Sequence, residues 1–314
     1  MSGTVEATSS GTEPKNTDKP HHVSSDLPFY VVLCVIGGTY VLLLAGMLLA
    51  DVAYMVSSDS ADLVPLPPAI EWARPVLRPI LPIVTALNKP EIQFSIKLTL
   101  VSCFFTAILS VLVAIPLGYS MSRFQFRGRS LLDAFLDIPI VLPPLVVGLS
   151  LLILFQFWPF RLASRFFVYQ VPGVVLAQFM VAAAFAVRTM RATFDQIDTR
   201  LEQVALTLGC NQAQAFMLVV LPRARQGMLT AGTMAWARAL GEFGPLLIFA
   251  GATRNKTEVL SMSVFLELSI GDLEAAVAVS LIMVASAVLV LIITRVWGQR
   301  AAFESGATNR FTAH

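Results

Sequence analysis

The sequence predicts an all-α fold, a polytopic transmembrane bundle of six membrane helices, and two observations support this fold class. Hydrophobic residues make up 56% of the 314 residues and charged residues make up 13%, about half the charged fraction of an ordinary soluble domain. Long uncharged runs also recur along the chain, and a helix needs about 20 apolar residues to cross a lipid bilayer. The net charge of +2 is too small to indicate a nucleic-acid partner.

The uncharged runs predict how the chain is organised. Residues 1–26 are polar and lack an apolar period, so we expect a disordered cytoplasmic tail. The first membrane helix covers residues 27–56. Residues 57–90 hold too many prolines for one helix and are predicted to form an extracytoplasmic loop. Five further spans are predicted at 98–122, 138–160, 166–187, 226–253 and 275–294, and residues 298–314 form a second cytoplasmic tail.

Lysine and arginine residues predict the orientation of these spans. One side of the predicted bundle holds both chain ends, the loop after the second span and the loop after the fourth span. It carries more lysine and arginine residues than the opposite side, and its charges sit close to the helix ends. Because basic residues accumulate on the cytoplasmic side, both termini are predicted to be cytoplasmic.

The segment between the fourth and fifth spans, residues 195–222, has helix signals of its own. Thr199 and Glu202 have the spacing of a capping box, and Gly209 suits the left-handed residue that ends a helix. Asn211 is a suitable cap for a second short helix, which Pro222 limits. One face of the first helix is apolar, through Leu201, Val204, Ala205 and Leu208. We therefore predict a helix–glycine–helix element outside the bilayer, with an apolar stripe that docks into a groove on another protein.

Two features of the predicted spans suggest a pathway. Arg238 and Glu242 lie one turn apart, roughly 20 Å into the fifth span. They form either an internal ion pair that fixes the helix or a pair that lines the pathway and meets a passing anion. In the third span, Pro139, Pro143 and Pro144 predict either a bent helix beside a cavity or a simple packing kink.

The small residues of the fifth span and two acidic residues of the third span each allow two interpretations. Glycines and alanines make the fifth helix narrow, so its face is a candidate dimer or pore surface. Asp133 and Asp137, at the start of the third span, are expected to favour the helix N-terminal dipole, with proton coupling as the alternative.

The loop sequence resembles a known family at several positions. The spacing is similar to the "EAA" loop of ABC importer permeases, although Val204 stands where the first alanine is usual; the matching residues are Glu202, Ala205, Gly209, Val219, Leu221 and Pro222. In that family the loop forms the coupling helix that sits in the ATPase subunit. The resemblance therefore implies that the coupling residues are Glu202, Val204, Ala205, Gly209, Leu221 and Pro222.

A second stretch narrows the resemblance to the permeases for molybdate, tungstate and sulfate. Residues 236–244 read WARALGEFG, which is similar to a stretch of molybdate and sulfate permeases, and residues 143–148, 257–260 and 271–275 continue the similarity. Pro245 stands where a small residue is more usual. The resemblance covers residues 91–297, the expected permease core, and makes Arg238, Gly241, Glu242, Gly244, Pro143 and Pro144 the translocation-pathway candidates.

The resemblance implies a transport subunit of the bacterial cytoplasmic membrane that carries an oxyanion and has no catalytic residue, cofactor or metal. Its expected partners are ATP-binding ABC subunits, an extracytoplasmic solute-binding protein and a second permease copy in a homodimer. The chain contains no Gly-Lys pair and hence no phosphate-binding loop of the Gly-x-x-x-x-Gly-Lys type, so ATP is expected to bind to a partner.

Two other functions remain as alternatives. A secondary transporter with Glu242 as its ion-coupling group is the first. An intramembrane enzyme is the second, but the three histidines, His21, His22 and His314, lie in the tails, which argues against a Ser-His site. Cys34, Cys103 and Cys210 match no metal motif and predict no disulfide.

Overall fold

The computed structural model describes residues 27–57 and 81–311, and these ranges contain helices and no strand. The predictions for residues 1–26 and for residues 58–80 of the proline-rich loop lie outside the described residues. In chain order the described helices are α1 (Leu27–Ser57), α2 (Leu81–Asn88), α3 (Pro90–Arg123), α4 (Arg129–Val141), α5 (Pro144–Leu154), α6 (Ser164–Phe167), α7 (Val171–Gln196), α8 (Thr199–Thr207), α9 (Gln212–Ala215), α10 (Leu221–Arg223), α11 (Arg225–Leu240), α12 (Gly244–Phe249), α13 (Leu260–Ser269) and α14 (Leu273–Phe311).

The chain divides into two compact units, residues up to Ala50 and residues from Asp51 onward. In the first unit, α1 is apolar on every side and its described side chains, those of residues 30–50, are exposed. A helix that is apolar all round is stable in lipid, because in water its whole surface would expose apolar side chains to solvent. The all-α fold class is thus confirmed at its first element.

In the second unit, α3, α7 and α11 pack together around small side chains. Ala182 and Ala186 of α7 lie in one buried cluster with Ala231, Ala235 and Ala239 of α11. Small residues let helices approach closely. Inside a membrane, the resulting van der Waals contacts stabilise helix packing, because the hydrophobic effect does not drive helices together there. The alanine face of α11, expected to be a dimer or pore surface, is therefore filled by the chain's own helices.

Four described helices are long and apolar enough to cross a membrane; they are Tyr30–Ser57 of α1, Pro90–Arg123, Val171–Gln196 and Leu273–Ile292 of α14. The pair α4 and α5 adds a fifth span if the two helices count as one, but they are bent by 111°. The predicted total of six spans therefore stays a prediction.

Differences from the predicted spans have local causes. The third span breaks because Leu142, which precedes Pro143, is extended and Pro144 begins a new helix. The predicted fifth span is divided into α11 and α12, since the chain leaves the helix at Gly241 and Pro245 stands in the first turn of α12. A proline at that position starts a helix, which explains how the chain tolerates it.

The fourth span runs beyond Val187, where the basic residues were expected to end it. Helix α7 continues to Gln196 because arginine is a good helix former, and its two arginines are paired with the acidic residues of α4. Arg188 Nη2 lies 2.5 Å from Asp137 Oδ2, and Arg191 Nη1 lies 2.5 Å from Asp133 Oδ1. Asp133 and Asp137 thus join α4 to α7, a role that sequence analysis did not anticipate.

Candidate functional site

The segment that follows α7 folds as a helix, a glycine turn and a second helix, as predicted. Helix α8 is followed by Gly209, whose φ is +93°, so the turn uses the left-handed region that favours glycine. The backbone N–H of Cys210 donates to the carbonyl of Ala205 across this turn, at 3.1 Å. We refer to residues 198–223 as the α7–α11 loop.

The two caps of the α7–α11 loop differ from each other. Helix α8 is capped by Asp198, whose carboxylate accepts from the Arg200 N–H at 2.9 Å, so the predicted Thr199–Glu202 capping box is wrong. Asn211 caps α9 as predicted. It does so in a complete capping box, because the Gln214 side chain also accepts from the Asn211 N–H.

Glu202 is free for a different task because it does not cap α8. Its side chain is buried, at 8% exposure, and accepts a hydrogen bond from the Tyr119 hydroxyl. Its other carboxylate oxygen lies 3.4 Å from Nε of Arg123. Arg123 in turn donates to the Ile197 carbonyl at 2.8 Å. Glu202 therefore attaches the α7–α11 loop to the end of α3.

Aromatic contacts strengthen this attachment. The ring of Tyr119 packs against Phe216 of the loop with 4.5 Å between centroids, and against Phe194 of α7 at 5.7 Å. Sequence analysis missed Tyr119, Arg123 and Phe216 as members of this site. The one available signal was the four-residue spacing that places Tyr119 and Arg123 on the same face of α3.

The opposite side of the α7–α11 loop is apolar and exposed. Ala205 and Ala215 face inward and are buried, whereas Val204, Leu208, Met217 and Leu218 are exposed, with Leu208 at 81%. We call these four exposed side chains the loop apolar patch. Exposed apolar side chains of this kind mark a surface that either lipid or another protein covers. Leu221 and Pro222 lie beyond it, where α10 begins, and are partly buried.

Arg238 and Glu242 form the ion pair that the sequence predicted. Arg238 Nη1 lies 2.8 Å from Glu242 Oε2, and the guanidinium lies 5.7 Å from the centre of the Phe185 ring. Glu242 is 1% exposed, whereas the arginine side chain retains about a third of its exposure. The pair fixes the end of α11 and leaves one side of its cation accessible, so both interpretations from the sequence remain open.

The proline and glycine candidates meet at a close helix contact. A Cβ at Gly244 would lie 2.9 Å from the backbone nitrogen of Leu145 and 2.9 Å from Cβ of Pro144. A Cβ at Gly148 would lie 2.7 Å from Cα of Pro245. Helices α5 and α12 therefore touch through their backbones, next to the cap formed by Pro143. Gly241 is exposed and takes no part in this contact.

Two buried acidic residues that sequence analysis missed lie in α13 and just before it. Glu267 bonds to Arg254 at 3.1 Å and lies 3.8 Å from the Lys89 ammonium. Glu258 is 1% exposed and accepts from the Ser263 hydroxyl at 2.9 Å. Burial raises the pKa of Glu258, and the Ser263 hydrogen bond and the charge of Arg254 oppose that rise. The Lys89–Glu267 contact joins the start of α3 to α13, and the other two contacts join α13 to the segment that precedes it.

The described helices thus define a multi-pass membrane protein. Residues 114–302 match the family described as "Binding-protein-dependent transport system inner membrane component". The chain belongs to this family of transport permeases, as its sequence motifs indicated.

Similar proteins include permeases for oxyanions. The chain is 32% identical to the sulfate transport system permease protein CysT of Escherichia coli over 210 residues, which cover 65% of this chain and 76% of that protein. It is 33% identical to the molybdate/tungstate transport system permease protein WtpB of Thermococcus kodakarensis over 213 residues, which cover 68% of this chain and 81% of that protein.

The fold also resembles that of a solved transporter. A chain of a bacterial ABC transporter involved in the import of the acidic polysaccharide alginate matches with a TM-score of 0.57 and 18% identity. The match covers 90% of this chain and 99% of that one. At this identity the likeness concerns the fold alone.

Proposed function

We propose that this chain is the membrane-spanning subunit of an ATP-driven importer, and that the α7–α11 loop docks into a separate ATPase subunit. The observation that carries the proposal is the two-sided character of the loop. One side is attached to α3 through Glu202, and the other side presents the loop apolar patch. A rigid element with an uncovered apolar face is suited to binding a groove on a second protein.

The attachment gives a physical route from ATP to the membrane helices. Because Tyr119 and Arg123 belong to α3 and Phe194 belongs to α7, a force on the loop moves the ends of both helices together. Closure of two ATPase subunits would bring the loops of two permease copies together and switch the spans from inward-open to outward-open. This mechanism assumes a homodimer and cytoplasmic termini, which we also propose.

For the substrate we propose a tetrahedral oxyanion, molybdate or tungstate first and sulfate second. The support comes from the similar permeases and from the WARALGEFG stretch that holds Arg238 and Glu242. A separate extracytoplasmic solute-binding protein would deliver the anion. Uptake into vesicles that contain the permease without the ATPase is expected to be absent; uptake driven by an ion gradient alone would instead support the secondary-transporter alternative.

Leu208→Glu tests the docking surface. Leu208 is the most exposed residue of the loop apolar patch, so a charge there should leave the fold intact and prevent an apolar contact. We expect association with the co-expressed ATPase subunit, measured by co-purification, to fall by at least about tenfold, as for a central residue of an interface. Leu208→Met keeps the apolar contact and serves as the matched control. Undiminished co-purification of Leu208→Glu would overturn the docking assignment.

A further inference from the structure

An open cavity with both polar and apolar lining residues lies at the end of α7 that is opposite to the α7–α11 loop. It has a volume of about 620 Å³ and lies between the end of α5 and the start of α7. Arg161 and Arg165 line it together with Gln156, Ser164 and Tyr169. No acidic side chain is among its lining residues in the described part of the chain. We call this cavity the arginine cavity.

Among the residues that the structure describes, the two arginines of the cavity differ from Arg188, Arg191 and Arg238 in having no carboxylate partner. Arg238 is paired with Glu242, and Arg188 is paired with Asp137. Within the described residues, no ion pair involves Arg161 or Arg165. Two uncompensated guanidinium groups on one cavity attract an anion more strongly than paired arginines do, because a paired carboxylate cancels most of the field.

The walls of the arginine cavity are held firmly. Phe155 forms part of the lining and packs against Phe167 and Phe249, with ring centroids 5.5 Å and 5.2 Å away. The Tyr169 N–H donates to the Phe249 carbonyl at 3.2 Å. The cavity is therefore fixed to α12, the helix that follows the Arg238–Glu242 pair.

The surroundings place this cavity at a membrane surface. Large apolar side chains, including Phe157, Trp158 and Leu162, are exposed around it. Aromatic residues with this exposure are typical of the boundary between lipid and water, where arginine heads also reach the aqueous phase.

We propose that the arginine cavity binds a tetrahedral oxyanion at the mouth of the bundle, with Arg161 and Arg165 as the ligands. The planar guanidinium forks match the geometry of such an anion and form charge-assisted hydrogen bonds to its oxygens. As a site for a transported anion, the proposal rests on the proposed function. The same chemistry describes a free dianion and the phosphate of a lipid headgroup, and the experiment separates these two sources.

The test measures tungstate binding by equilibrium dialysis with detection of tungsten. The full chain is purified in an uncharged detergent, as wild type, as Arg161→Gln/Arg165→Gln and as Arg161→Lys/Arg165→Lys. We expect the glutamine variant to bind tungstate at least about tenfold more weakly, because two charge-assisted ligands are lost. The tungstate affinity of the lysine variant should lie between those of the wild type and the glutamine variant. Arg127→Gln removes an exposed arginine elsewhere in the chain and is the matched control.

A second arm measures phosphatidylglycerol that co-purifies with each variant. If tungstate binding is lost in the glutamine variant, the ligand is the free dianion. If wild type binds no tungstate but retains phosphatidylglycerol that the glutamine variant loses, the ligand is a lipid headgroup. If neither quantity changes, the site does not exist. The Leu208→Glu experiment tests the proposed docking of the ATPase at the opposite end of α7. The docking proposal and the anion-site proposal can therefore fail independently of each other.

Discussion

Gly241 and Gly244 lie three residues apart and have different surroundings. An added Cβ at Gly244 would meet the backbone of Leu145 and the ring of Pro144, whereas one at Gly241 meets nothing within 4 Å. Gly241 also has a φ of −84°, which any residue adopts. Gly244 is therefore needed for a close helix contact and Gly241 is not, although both belong to the same short motif.

Gly244→Ala is expected to lower the free energy of unfolding by about 1–3 kcal/mol, because backbone atoms must move to accept the methyl group. Gly241→Ala should leave it unchanged or raise it by about 0.4–1 kcal/mol, since alanine restricts only the unfolded chain. Denaturant unfolding of both variants in the same detergent measures the difference. Equal effects would show that α5 and α12 do not touch at this point.

Individual residues were predictable from the sequence only where local chemistry decides their role. Gly209 and Asn211 were predicted correctly, because a left-handed turn and a helix cap depend on their immediate neighbours. Glu202 was assigned to a cap, and the structure places it against Tyr119 instead. Its partner lies 83 residues away in sequence, and no local pattern specifies such a contact.

At the scale of elements, the α7–α11 loop depends on a small number of contacts to α3. Removal of the Glu202 carboxylate deletes the hydrogen bond from Tyr119 and the ion pair with Arg123. Arg123 would keep only its bond to the Ile197 carbonyl. The loop should then separate from α3 more often, while its own caps remain.

Glu202→Ala is expected to speed amide hydrogen exchange in residues 199–223 by roughly tenfold to a hundredfold, from the loss of about 1.5–3 kcal/mol in charged hydrogen bonds. Exchange in α7 should change less. Thr207→Ala, which removes an exposed hydroxyl bonded to the Val204 carbonyl, is the control on the same helix. Unchanged amide exchange in Glu202→Ala would mean that the contacts of Glu202 with α3 do not stabilise the loop.

Helix ends were harder to predict than helix existence. The arginines of α7 predict the end of a span, but arginine is a good helix former and the helix continues to Gln196. In the same way, the bend of 111° between α4 and α5 exceeds what prolines alone specify. Proline removes a hydrogen bond and permits a bend, and the packing of neighbouring helices determines its size.

At the scale of the whole molecule, the proposed function requires that the two ends of α7 face opposite sides of the membrane. A helix of 26 residues is about 39 Å long, which is sufficient to separate them. Cys210 lies in the α7–α11 loop and is partly exposed, and Leu162 lies near the arginine cavity and is exposed.

In a Cys34→Ser/Cys103→Ser background expressed without the ATPase, a membrane-impermeant maleimide should label Cys210 in inverted vesicles and not in intact spheroplasts. With Cys210 also changed to Ser, Leu162→Cys should show the reverse pattern, since it lies at the other end of α7. Both sites labelled from the same side would contradict the orientation and with it the importer mechanism.

The sequence by itself determined the all-helical membrane class, the family and the helix–glycine–helix form of the loop, because apolar runs, turn residues and a short spaced motif are local properties. Only the tertiary structure decided that Glu202 attaches the loop to α3, that Gly244 meets Pro144, and that Arg161 and Arg165 share a cavity without a carboxylate. Those facts depend on which distant residues the packing brings together, and composition and periodicity carry no record of such pairs.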